Sequence, residues 1–214
     1  MIGIHEPDVV FTDLALALLG GYFAMRLRRG IGAVVMAALA SAAFWGALFH
    51  ALFPARTATP LGFGVWMLVA LSIVVVAAAL LWLSLSLVGA SRQLRRIVVG
   101  GYAGACAALV LFVDESFSTI VRFYGPVLLL VIALATREAL RTGTAAWRLV
   151  AGGFALSALA ALAQQYRIAL HPTQFDHNAV YHVIQAAALV LLYVGFVRMP
   201  ARVGSVDPDA NSRA

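Results

Sequence analysis

LGFGVWMLVALSIVVVAAALLWLSLSLV, residues 61–88, carries no charged side chain and no histidine from end to end. A helix that crosses a bilayer needs about 20 predominantly apolar residues. This run exceeds that length, so a helix from Leu61 to Val88 is expected to tilt or to protrude. An arginine cluster, Ser91-Arg92-Gln93-Leu94-Arg95-Arg96, follows it. The same alternation of apolar run and polar break extends in both directions. Upstream lie Val9 to Met25, closed by Arg26-Leu27-Arg28-Arg29-Gly30, and Ile31 to Phe53, stopped by Pro54. Downstream lie Ile97 to Val113, ending at Asp114-Glu115, and Phe117 to Thr136, where Pro126 is expected to kink the helix. Trp147 to Gln165 and Asn178 to Met199 complete the set. The expected fold class is all-α: a polytopic integral membrane bundle of seven transmembrane helices. It forms one domain over residues 1–199, and the Pro-, Gly-, Ser-, Asp- and Asn-bearing tail 200–214 is expected to be a disordered cytoplasmic segment.

Composition supports this class. The 214 residues are 63% hydrophobic and 11% charged, with mean hydropathy +0.95. Soluble domains are roughly 45–50% apolar and about 25% charged. A net charge of +6 would suit nucleic acid, but every basic residue is an arginine in a short cluster between apolar runs. No basic face or arm results, and nucleic acid is not an expected partner. The lone Cys106 excludes a disulfide framework and a cysteine metal motif. The N-terminus lacks the basic leader of a secretory signal and carries its arginines after the first apolar run, as an uncleaved first helix would.

Arginine placement sets the expected orientation. With the N-terminus outside, the inner side receives Arg26, Arg28, Arg29, Arg92, Arg95, Arg96, Arg137, Arg141, Arg148, Arg198, Arg202 and Arg213, and the outer side keeps Arg56, Arg122 and Arg167. That asymmetry is the positive-inside signal, and removing one helix would scramble it. The expected location is the cell inner (plasma) membrane, in multi-pass form. Gly100 and Gly104 form a GxxxG spacing; Gly20-Gly21, Gly152-Gly153 and the alanines of the second helix also permit close backbone approach. Packing within one chain is the expected use of these small residues.

The expected outer ends hold nearly all remaining polar chemistry. His5, Glu6, Asp8 and Asp13 open the first helix, and His50 sits near the end of the second. Asp114, Glu115 and Arg122 occupy the fourth-to-fifth turn. Gln164, Gln165 and Arg167 end the sixth helix, and His171, Asp176, His177, Asn178 and His182 lead into the seventh. All five histidines fall on this side. Ionisable groups within a bilayer are costly and mark candidate functional sites, and histidine is the commonest metal ligand. Asn178, His182 and Gln185 recur at helical spacing on one face, and that stripe continues through Leu189 and Tyr193. The plain alternative is interfacial hydrogen bonding, with Asp114, Glu115 and Arg122 closing a tight hairpin.

Leu48-Phe49-His50 and His177-Asn178-Ala179-Val180-Tyr181-His182 carry a further reading. In a seven-helix setting they resemble the superfamily of alkaline ceramidases and adiponectin/progestin-type receptors. The family pattern has Ser-x-x-x-His late in the second helix, Asp early in the third, and His-x-x-x-His on the seventh. His50 matches the first histidine and His182 the last. Gly46 stands at the serine position, Asn178 at the first seventh-helix histidine, with His177 one residue away, and no carboxylate opens the third helix. The resemblance implies an intramembrane zinc held by His50, His177 and His182. Asp13, Asp114 or Glu115 would then be general base or fourth ligand, with Asn178 or Arg122 stabilising negative charge, and a lipid amide or ester would be the substrate. The alternative is a non-enzymatic membrane sensor or binding protein that keeps the fold and a polar pocket for a lipid ligand. A proton-linked carrier is the third reading, opposed by the absence of a polar path through the inner half.

Overall fold

A computed structural model describes residues 5–54, 56–171 and 175–199. The apolar run that opens the reading forms α3 (Pro60–Leu87). Thr59 caps it by accepting a hydrogen bond from the Gly62 amide, and Pro60 occupies the first turn, where its missing N–H costs nothing. Around it lie α1 (Pro7–Leu27), α2 (Ile31–Leu52), α4 (Arg92–Phe112), α5 (Phe117–Thr142), α6 (Ala145–Gln165) and α7 (His177–Val197), with a short 3-10 turn at Arg56–Ala58. All seven α-helices are long and apolar enough to cross a membrane.

Two helices outrun the apolar pattern. α4 begins at Arg92 because Ser91 accepts a hydrogen bond from the Leu94 amide, so the three arginines belong to the helix. α5 continues to Thr142 because Glu138 pairs with Arg137 and Arg141 at 2.9 and 2.7 Å. It stops at Gly143, whose φ of 66° favours glycine. Hydropathy stops at the first arginine, whereas a capped or ion-paired helix does not. α5 also runs through Pro126. One turn earlier the Tyr102 hydroxyl of α4 donates to the Phe123 carbonyl at 2.5 Å, a neighbouring helix supplying a donor where proline disturbs the ladder.

Six helices close a ring in which α1 packs on α2, α2 on α3, α3 on α5, α5 on α6, α6 on α7 and α7 on α1. α4 stands outside, leaning chiefly on α3 and burying only Cys106 and Val110. Small residues set the closest contacts. A Cβ at Gly153 would lie 2.6 Å from Leu192 Cγ, one at Gly195 2.6 Å from Val150 Cγ2, and one at Gly20 3.2 Å from the Met36 carbonyl oxygen. Gly100 and Gly104 differ from the sequence expectation, as do Gly21 and Gly152: nothing described lies within 4 Å of an added Cβ. Among the described residues nothing packs on the GxxxG spacing, because α4 turns its Cys106–Val110 side to the bundle. The tail 200–214 lies outside the described residues, as do Arg202 and Arg213.

Candidate functional site

The start of α7 is fixed by Asp176. Its Oδ1 accepts the Asn178 and Ala179 amides at 2.8 and 3.0 Å, so the helix starts at His177. His177 is therefore the first helical residue, turned about 100° from Asn178, and does not precede the helix as a role beside His182 would require. Its Nδ1 lies 3.8 Å from Asp176 Oδ2.

One turn on, His182 points into the bundle and is 7% exposed. Two consecutive residues of α1 hold both its ring nitrogens. Nδ1 meets Thr12 Oγ1 at 3.0 Å, and Nε2 meets Asp13 Oδ1 at 3.0 Å. Asp13 is 3% exposed, so the facing imidazole nitrogen serves its carboxyl as partner in place of solvent. Room for that carboxyl comes from α2: a Cβ at Gly46 would sit 2.9 Å from Asp13 Oδ2. The glycine standing where the resembled pattern has serine is thus the floor beneath Asp13. His50, one helical turn beyond Gly46, pairs through Nδ1 with Glu6, the residue that immediately precedes α1.

These groups face one chamber of about 580 Å³, within the range of roughly 300–1,000 Å³ usual for ligand pockets. Asp13, His50, His177, Asn178 and His182 all line it, and so do Gly46, Gln164 and Gln185. Deeper in, Gln185 donates to Ser157 Oγ at 3.1 Å, and Ser157 to the Gly153 carbonyl at 3.2 Å. The Asn178, His182, Gln185 stripe therefore does face inward. A second cavity of about 230 Å³ is almost wholly apolar and runs between α5 and α6, past Tyr124, Leu128, Ala161 and Leu162. It shares Gln164, Gln165, Tyr181 and Gln185 with the chamber, so the two adjoin.

Asp114 and Glu115 are absent from the chamber lining. Asp114 accepts from Thr119 Oγ1, from the Ser116 amide at 2.9 Å and from the Ser116 hydroxyl at 3.0 Å. Those bonds, Thr119 first, hold its carboxyl below the usual carboxylate range. Glu115 contributes its backbone carbonyl, which takes the Trp66 indole N–H at 2.6 Å. Both build the α4–α5 turn and not the site. Sequence reasoning missed Thr12 as the second partner of His182, and the one available signal was its place beside Asp13.

The donor set bears on zinc. Among the described residues, no group of three His, Cys, Asp or Glu side chains gathers as a metal site would. His182 has both nitrogens engaged by α1, His50 turns Nδ1 to Glu6, and His177 lies toward Asp176. A structural or catalytic zinc takes at least three protein ligands around one point, so the residues as placed do not fit the ion.

Neither the curated proteins nor the solved structures yield a match. A family model does match, spanning residues 9–201, from the first turn of α1 to beyond the end of α7. The chain belongs to that family, described as a family of unknown function (DUF6962).

Proposed function

We propose that the protein is a multi-pass membrane protein that binds an amphiphile, as a sensor or binding protein. The polar head would sit among Asp13, His50, Asn178 and His182, and the chain would lie in the slot between α5 and α6. The observation that carries this reading is the adjacency of the histidine-lined chamber and the apolar slot, which share Gln164, Tyr181 and Gln185 in their walls. An amphiphile is the molecule whose two halves match those two linings. Engaged imidazoles and carboxyls support binding over chemistry, because each already has an internal partner. The arginine asymmetry supports an orientation with the chamber at the outer face of the plasma membrane.

A second reading, a zinc-dependent hydrolase of lipid amides or esters resembling the ceramidase and adiponectin-receptor superfamily, keeps one observation in its favour. Asp13, His50 and His182 come from three helices and line the same chamber. It requires His182 to leave Thr12 and Asp13.

Two measurements on the purified full chain separate the readings. Lipid extraction with mass spectrometry is expected to find a retained single-chain amphiphile that an Ala161→Phe variant, with its slot filled, no longer carries. Elemental analysis is the second. Near-stoichiometric zinc, lost in both His50→Ala and His182→Ala, would replace the binding reading with the hydrolase.

A further inference from the structure

Arg167 follows α6, lines the chamber and is exposed. Its backbone φ of 53° lies in the left-handed region that glycine favours. Two hydrogen bonds hold it there: the Arg167 amide donates to the Gln164 carbonyl at 3.1 Å, and the Ile168 amide to the Ala163 carbonyl at 2.9 Å. This is the cap that most often ends a helix on glycine. A cation is favourable anywhere in the last turn of a helix, so the dipole alone does not call for arginine at the strained position. The carboxyls of the chamber wall are engaged elsewhere. Glu6 pairs with His50 and Asp13 with His182, while Asp176 accepts the Asn178 and Ala179 amides. Among the described residues no carboxylate comes within ion-pair distance of Arg167. Of the formal charges in that wall, it is the one without an internal counterpart.

A guanidinium presents a planar fork of donors that matches a carboxylate or a phosphate. From this geometry we propose that Arg167 anchors the head of the amphiphile and that this head is anionic, a carboxylate or a phosphate monoester. Because Arg167 is exposed, an incoming head reaches it without displacing a carboxylate of the protein. Gln164 and Gln165, just before it in the chain, line both the chamber and the apolar slot. A head held at Arg167 therefore leaves its hydrocarbon chain beside the slot. The inference rests on the amphiphile-binding reading and adds the charge that the head carries.

The test uses the full chain in phosphatidylcholine nanodiscs, with each probe corrected for its uptake by empty nanodiscs. Oleate and mono-oleyl phosphate are compared with neutral methyl oleate and cationic oleylamine. At least one anion is expected to bind about tenfold or more tighter than methyl oleate and oleylamine, and the tighter anion identifies the head. Arg167→Gly is the decisive variant, because glycine relaxes the cap while removing the charge. It is expected to unfold at the wild-type temperature or higher, and yet to lose the preference for an anion. Arg167→Lys, which keeps the charge without the fork, is expected to keep part of that preference. Equal wild-type affinities, tighter binding of oleylamine, or a preference that survives in Arg167→Gly would overturn the role of Arg167 and leave amphiphile binding standing. Earlier unfolding of Arg167→Gly with weaker binding of every probe would make the residue a structural cap and do the same. Failure of all four probes to bind wild type, or binding unchanged by Ala161→Phe, would overturn the binding reading and this inference with it.

Discussion

Asp13 faces Gly46, one of the two glycines of α2, and its other partner comes from α7. A carboxyl bracketed by Gly46 and His182 is coupled to both helices. Removing either member of the Asp13–His182 pair strands the other in a buried site, a cost of about 1–3 kcal/mol. Asp13→Ala and His182→Ala are each expected to lower the unfolding temperature in detergent. The double variant is expected to lose less than the sum of the two, which a double-mutant cycle would register. Additive losses would mean that the pair is not an interaction. Asp114 supports a different prediction, one of pH. Its folded carboxyl is held below the usual range by Thr119 and Ser116, so its contribution is present above the ordinary carboxylate value. It fades as pH falls through the depressed folded value. Protection of the Ser116 and Thr119 amides, measured against their intrinsic exchange rates at each pH, should therefore persist through mildly acidic pH and fall only below the usual carboxylate range. Protection lost already near neutrality would contradict those hydrogen bonds.

Helices of this composition gain little from burial against lipid, which is as apolar as leucine, so contacts depend on close fit. Gly153 and Gly195 bring α6 and α7 together, with Leu192 and Val150 filling the space that a Cβ would need. Alanine at either position adds helix propensity but overpacks the joint, and the net loss is expected at about 1–3 kcal/mol. Gly100 and Gly104 of α4 face open space. Alanine there should be neutral or gain up to about 1 kcal/mol each. Thermal unfolding of the four variants side by side checks the contrast, and equal losses in all four would mean that α4 packs more tightly than described. The glycine spacing was legible in the sequence, yet all these glycines look alike there. Which are contacts depends on how each helix is rotated, and α4 is turned so that its GxxxG side points away from the bundle.

For the whole molecule, the ring of six helices with α4 outside leaves a chamber that opens at the end bearing the histidines. The proposed orientation places that end outside. Cys106, the sole cysteine, is buried, so single introduced cysteines report cleanly. Ile168→Cys is expected to react with a membrane-impermeant maleimide on intact cells, and Gln93→Cys only after permeabilisation. The opposite pattern would invert the orientation and place the chamber at the cytoplasmic face. Retention of an amphiphile and the metal content belong to the same scale, because both depend on three or more helices converging.

The amino-acid sequence alone settles the number of helices and the end at which the polar groups collect. Both follow from local properties, the length of an apolar run and the residue that interrupts it, which no distant contact can alter. It also placed Asn178, His182 and Gln185 on one face, since helical periodicity is local too. It could not say that His182 pairs with Thr12 and Asp13 while His50 turns to Glu6, nor that Asp114 and Glu115 stand apart from the chamber. Those choices belong to tertiary structure, because hydrogen bonding is directional and saturable. Which donor meets which acceptor is decided by the rotation and depth of packed helices, quantities that spacing along one chain does not encode.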